Sequence, residues 1–208
     1  MNACLFRRIA FVPALLLLAT MPASAHHVMG GRTPSTFIEG LLSGLGHPVI
    51  GPDHLAFLLA VGVAVGVGGL NLALPAVFVV ATAIGVAVHV KGVGLPAAEI
   101  MVALSVLLAG LLIVRGRALP VAAWAVLFAG AGFFHGYAFG ESIFGAETSP
   151  LDAYLVGLIA IQTAITVGVA LLVRRIGARS SELMPRLIGA VIVGVGFTVL
   201  VGHLVPGA

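Results

Sequence analysis

The chain is poor in everything from which a soluble surface is made. Charged residues occupy only 8% of its 208 positions and hydrophobic residues 61%, so an exterior of ordinary polarity cannot be assembled. No polar stretch is long enough for a separate soluble domain. Cysteine occurs once, at Cys4, ahead of the first apolar run. That position offers no disulfide partner and no thiolate pair for a metal, and it is misplaced for lipoprotein processing. Neither a Gly-rich phosphate-binding motif nor a His-Glu-x-x-His pair is present, so the signatures of a nucleotide-driven pump and of a zinc hydrolase are both missing. The net charge of +3 lies in short arginine clusters between apolar runs, where it reads as a topology signal; nucleic acid is not an expected partner.

What the sequence has in quantity is apolar helix. Residues 1–25 carry the three parts of a signal peptide: basic Arg7 and Arg8, an apolar core over 9–20, and the small-residue site Ala23-Ser24-Ala25. Cleavage there discards Cys4 and leaves 26–208 as one integral membrane domain beginning at His26. Crossing a ~30 Å hydrocarbon core takes about 20 helical residues, and runs of that kind fall near 52–70, 72–90, 96–114, 119–138, 151–173 and 185–205. The expected fold is all-α, a polytopic bundle of about six transmembrane helices. Residues 36–46 are apolar but too short to span, which suggests a re-entrant or interfacial helix leading into the first crossing.

Delivery of the mature N-terminus to the outside gives every loop a side. Arg115, Arg117, Arg174, Arg175, Arg179 and Arg186 then face the cytoplasm, against Arg32 and Lys91 outside, the expected positive-inside bias. All seven histidines fall in the outer half, together with Glu39, Asp53, Glu99, Glu141, Glu147 and Asp152; only Glu182 joins the arginines. An outer face of imidazoles and carboxylates is suited to collecting cations.

The densest ligand set is His47-Pro48-Val49-Ile50-Gly51-Pro52-Asp53-His54. On a straight helix the two imidazoles would stand about 10 Å apart, too far for one ion with ~2 Å bonds. The backbone must bend, and Pro48, Gly51 and Pro52 are expected to prevent a plain helix. Pro52 suits a first helical turn, with Asp53 and His54 close to that N-terminus; Asp53 then also has the simpler option of capping the helix. His135, near the end of the fourth run, and Glu141 just after it are candidate ligands, because ionisable groups at membrane depth are costly and usually serve a function. Glu99 has similar status. His26 and His27, with a free amine after cleavage, make a further chelating set for Ni²⁺ or Cu²⁺. His89 and His203 read as dispersed interfacial residues. Gln162, with Thr163 and Thr166, either lines a path or makes a hydrogen bond between helices, the commoner use. Many of the 28 glycines lie within the apolar runs, and Gly62-Val63-Ala64-Val65-Gly66 has the spacing that brings helices close in lipid.

At these residues the chain resembles the HupE/UreJ family of bacterial membrane proteins, associated with nickel supply to hydrogenase and urease. The likeness runs from His26-His27-Val28-Met29-Gly30-Gly31 through Leu42-Ser43-Gly44-Leu45-Gly46 and the His-Pro-x-x-Gly-x-Asp-His motif to Phe134-His135-Gly136-Tyr137-Ala138. The resemblance implies a Ni²⁺ permease, with His47, Asp53 and His54 as its essential residues and maturation proteins of hydrogenase or urease as partners. It implies Co²⁺ or copper as alternative cargo and no permanent cofactor. This sequence departs from one common family pattern, which has a second histidine where Phe139 stands and a glutamate one residue beyond Glu141. A metal-binding accessory protein and a metalloenzyme with Glu141 as general base are the competing classes.

Overall fold

The computed structural model describes residues 32–177 and 183–205; the segment 1–25 expected to be a signal peptide, His26, His27, Arg179 and Glu182 lie outside them. Among the described residues the secondary structure is entirely helical: α1 Phe37–Ile50, α2 Pro52–Val67, α3 Pro75–Val90, α4 Ala98–Arg115, α5 Val121–Gly140, a 3-10 turn Glu141–Ile143, α6 Thr148–Gly177 and α7 Leu183–Leu204. Four helices, α4 to α7, are long and apolar enough to cross a membrane, with the 3-10 turn extending α5. The bent pair α1 and α2 passes the same test jointly, and α3, at 16 residues, is a shorter apolar helix.

Helix α2 is the axis of the bundle. Twelve of its 16 residues are buried, on all sides, as expected of a helix apolar around its whole circumference. Chains of small residues hold its neighbours to it and to one another. A Cβ at Gly62 would meet Val169 and Thr166 O at 2.6 and 2.9 Å, and one at Gly66 would meet Val173 and Ala170 O at 2.7 and 2.9 Å, so the expected close approach is made by α2 against α6. The same device joins α1 to α6 through Gly40, Gly44 and Gly157, α3 to α5 through Gly85, Gly132 and Gly136, and α4 to α7 through Gly110, Gly189 and Gly196. Gly130, Gly168 and Gly194, by contrast, face open space.

These contacts also fix direction. Gly62 lies at Thr166 and Gly66 at Ala170, so α2 and α6 run parallel; Gly132 lies at Phe78 and Gly136 at Thr82, so α3 and α5 are parallel too. Gly189 meets Val114 while Gly196 meets Leu107, which makes α4 and α7 antiparallel. The starts of α2 and α6 therefore lie at one end, those of α3 and α5 lie together, and α7 starts where α4 ends. His47, His54, His89, His135 and His203 gather at one end of the bundle, and Arg115, Arg117, Arg174, Arg175 and Arg186 at the other. At the arginine end the Arg174 guanidinium donates to the Leu70 carbonyl, tying the α2–α3 turn to α6.

Candidate functional site

The site begins as a break in a helix. Thr36 and Glu39 close a capping box that starts α1, and the helix then runs on through His47 and Pro48 to Ile50. Here the structure corrects the expectation that Pro48 disrupts the helix: the ring is carried inside the last turn. The break falls at Gly51, whose backbone is extended (φ −72°, ψ 114°). Its cause is Pro52, since a proline ring disfavours helical geometry in the residue before it, and Pro52 itself opens α2 at the first helical position. The two helices meet at 78°. A Cβ on Gly51 would sit 2.6 Å from His54 Cδ2, so glycine is required there to make room for the imidazole.

The bend brings the two imidazoles into contact without closing the described ligands on one metal position. His47 and His54 approach edge to face with ring centroids 5.8 Å apart, and α5 delivers His135 to the far side of His54, with Nδ1 of one ring 2.9 Å from Nδ1 of the other. His47, Asp53 and His54 are 5%, 6% and 5% exposed and His135 is fully buried. Phe139, one turn after His135, forms a common wall: its ring centroid is 5.0 Å from His47, 4.2 Å from His54 and 6.4 Å from His135. Phe57 and Phe78 enclose His135 from α2 and α3.

The surrounding hydroxyls assign the ring protons. Ser105 Oγ donates to Val102 O at 2.7 Å, so toward His135 Nε2, 3.0 Å away, it can only accept. Nε2 is therefore the protonated nitrogen of a neutral His135, its Nδ1 is an acceptor, and His54 Nδ1–H is the donor across the 2.9 Å contact. Tyr154 donates to Phe139 O at 2.8 Å, and Ser142 donates to Phe139 O at 3.1 Å or to the Tyr154 oxygen at 3.2 Å. His47 Nδ1 faces those two oxygens at 3.0 and 3.2 Å and is their donor. His47 and His54 thus both carry their lone pair on Nε2, the nitrogen a cation would use.

Asp53 answers the capping question in both ways. Its Oδ1 accepts the His54 backbone N–H at 2.9 Å, satisfying one of the unpaired donors of the α2 start, yet the carboxylate is also buried beside the histidines. The carbonyl end of α1 and the N–H end of α2 meet at the same break, so their opposite dipoles offset and the Asp53 carboxylate supplies the negative charge there. Two neutral imidazoles and a carboxylate form a borderline donor set suited to a divalent transition metal.

The other sequence candidates stand apart. Glu141 is exposed in the 3-10 turn, Glu99 is half-buried in the first turn of α4, and His203 is exposed. His89 is half-buried, its ring centroid 4.5 Å from that of Tyr137 and tilted 53° to it. Among the described residues no three His, Cys, Asp or Glu side chains converge on one metal position; the histidines form a line running inward, not a closed chelate. Ser105, Ser142, Tyr154 and Phe139 were not singled out as site residues by sequence. Ser105 carried a signal as the one polar residue in the apolar run 100–114, and Phe139 and Ser142 carried one only as departures from the family pattern.

The two departures from the family pattern noted in the sequence, Phe139 and Ser142, both touch His47. Comparison with known proteins agrees with the resemblance. The chain is 29% identical over 194 residues to "Protein HupE" of Rhizobium leguminosarum bv. viciae, covering 92% of this chain and 97% of that protein. No solved structure matches. The sequence profile described as HupE / UreJ protein matches residues 14–199, which takes in the helix break, the histidine line and most of the bundle: the chain belongs to the HupE/UreJ family.

Proposed function

We propose that this protein is a permease that carries a divalent transition-metal cation, Ni²⁺ foremost and Co²⁺ or copper as alternative cargo, across the bacterial inner membrane to supply metalloenzyme maturation. The observation that carries the reading is the line His47–His54–His135 with Asp53, at the break of a helix buried in an apolar bundle. Groups of this kind are costly at membrane depth and belong to pathways for ions, and discontinuous helices are a recurrent way of placing them in transporters.

In this reading the histidine end faces outward and the chain makes six crossings, the α1–α2 pair being one broken crossing and α3 a short one. The mature chain begins at His26. The cation sheds water to Nε2 of His47 and His54, and the Asp53 carboxylate offsets its charge. The family's link to hydrogenase and urease makes their maturation proteins the receivers. Transport is facilitated or secondary, since no nucleotide-binding motif accompanies the bundle. The enzymatic alternative assigns the general base to Glu141, which is exposed in the 3-10 turn and so poorly protected for that task. Uptake of radioactive nickel and cobalt by cells expressing the protein tests the proposal; accumulation equal to that of cells lacking the protein would refute it.

A further inference from the structure

Among the described residues, one fully buried side chain has both of its polar atoms without a hydrogen-bond partner. Gln162 on α6 is fully buried, and neither Oε1 nor Nε2 makes a hydrogen bond. The interhelical bond that its sequence position suggested is therefore not made. A buried carboxamide without partners bears the whole cost of leaving water, whereas an apolar side chain of the same size would bear none.

Its neighbours show what it faces. Tyr154, Leu158, Gln162, Thr166 and Ala170 recur every fourth residue and are all completely buried, a single stripe of α6 turned into the bundle. The stripe begins at the histidines, where Tyr154 bonds His47 Nδ1. Thr166 donates its proton to Gln162 O at 2.7 Å, so its side-chain oxygen keeps only acceptor capacity. Gly62 of α2 lies at Thr166 and Gly66 at Ala170; one turn back along both parallel helices, Gln162 stands level with Leu58. That is one turn, about 5.4 Å of rise, beyond His54 toward the arginine end. Past it, α2 and α6 close backbone to backbone at Gly62 and Gly66.

We propose that Gln162 and Thr166 form a second, inner station for the divalent cation, where a carboxamide oxygen and a hydroxyl oxygen receive the partly hydrated ion after it leaves the histidines. This rests on the transport reading above and adds to it a place and an order. Oxygen donors hold a transition-metal cation less tightly than imidazoles do, and conduction needs sites that are strong enough to fill and weak enough to empty. The amide N–H groups remain available for water carried with the ion.

The test compares wild type with Gln162→Leu, and with Gln162→Met should the leucine variant not accumulate. Nickel binding to the purified full chain in detergent and nickel uptake into proteoliposomes are measured alongside thermal unfolding. The inference expects an unchanged Kd at the histidine site, uptake slowed at least tenfold, and a Tm equal to or above that of wild type. Uptake within twofold of wild type would overturn it, because the orphan amide would then be only a packing defect. Binding and uptake lost together would also overturn it, by merging Gln162 with the histidine site. Wild-type protein that moves no nickel would instead refute the transport reading itself.

Discussion

His54 Nδ1 and His135 Nδ1 lie 2.9 Å apart across the α2–α5 contact. The separation is that of a hydrogen bond in which His54 donates to His135, so His135 fixes the orientation of the His54 ring and turns its Nε2 toward the cation. Replacing His135 by alanine should lower nickel uptake by about tenfold or more and leave a destabilised bundle, because a fully buried ring between Phe57 and Phe78 is lost. Uptake at limiting metal and thermal unfolding of the same preparation check both parts.

Ser105→Ala isolates the hydroxyl that fixes the His135 tautomer. The variant leaves a buried Nε2–H without its acceptor, which costs about 1–3 kcal/mol. Loss of such an orienting partner typically lowers metal affinity about 10–100-fold. Ser105→Thr, which keeps the oxygen, should recover affinity; a Ser105→Ala protein that binds nickel as tightly as wild type would show that the tautomer assignment has no bearing on the site.

Much of this arrangement was legible before the fold was known. The runs that became α3 to α7 were placed within a few residues, and the need for a bend between His47 and His54 followed from their spacing alone. Its location did not, because Pro48 and Pro52 look alike in sequence. One sits in the last turn of α1, while the other, preceded by glycine, forces Gly51 into the extended region. Ser142, Tyr154 and Phe139 reach His47 from elements 92 or more residues away in sequence, and a single sequence carries no record of such meetings. Gln162 was visible as a polar residue in a span, but its lack of a partner belongs to the fold.

Helix spacing gives a paired prediction. At Gly136 a Cβ would stand 2.0 Å from Thr82 O, whereas at Gly130, on the same helix, it meets nothing within 4 Å. Gly136→Ala should therefore reduce membrane level or stability by about 1–3 kcal/mol through overpacking, and Gly130→Ala should leave both near wild type. Quantitative blots of membrane fractions with thermal unfolding in detergent distinguish them.

Phe139→His combined with Ser142→Glu would add an imidazole and a carboxylate at the two positions that touch His47. The double variant should bind nickel more tightly than wild type, by about tenfold for a site gaining ligands and charge, and should turn over more slowly for the same reason. Isothermal titration of the purified proteins reads the first effect and initial uptake rates the second. Unchanged binding would mean that His47 lies off the path of the cation.

N-terminal sequencing of protein purified from membranes should return His26 as the first residue, from the basic, apolar and small-residue segments of 1–25. An intact Met1 would instead retain Cys4 and a further apolar segment.

The most direct test of the histidine line is the initial rate of nickel uptake into proteoliposomes by wild type and by His47→Ala, Asp53→Asn and His54→Ala, with His89→Ala and His203→Ala as dispersed-imidazole controls. The account predicts that the first three each lose transport almost completely at normal protein levels, Asp53→Asn because an amide can still accept the His54 N–H but no longer offsets the charge of the cation, while the two controls keep most of theirs. Wild-type rate and affinity in Asp53→Asn and His54→Ala would contradict it.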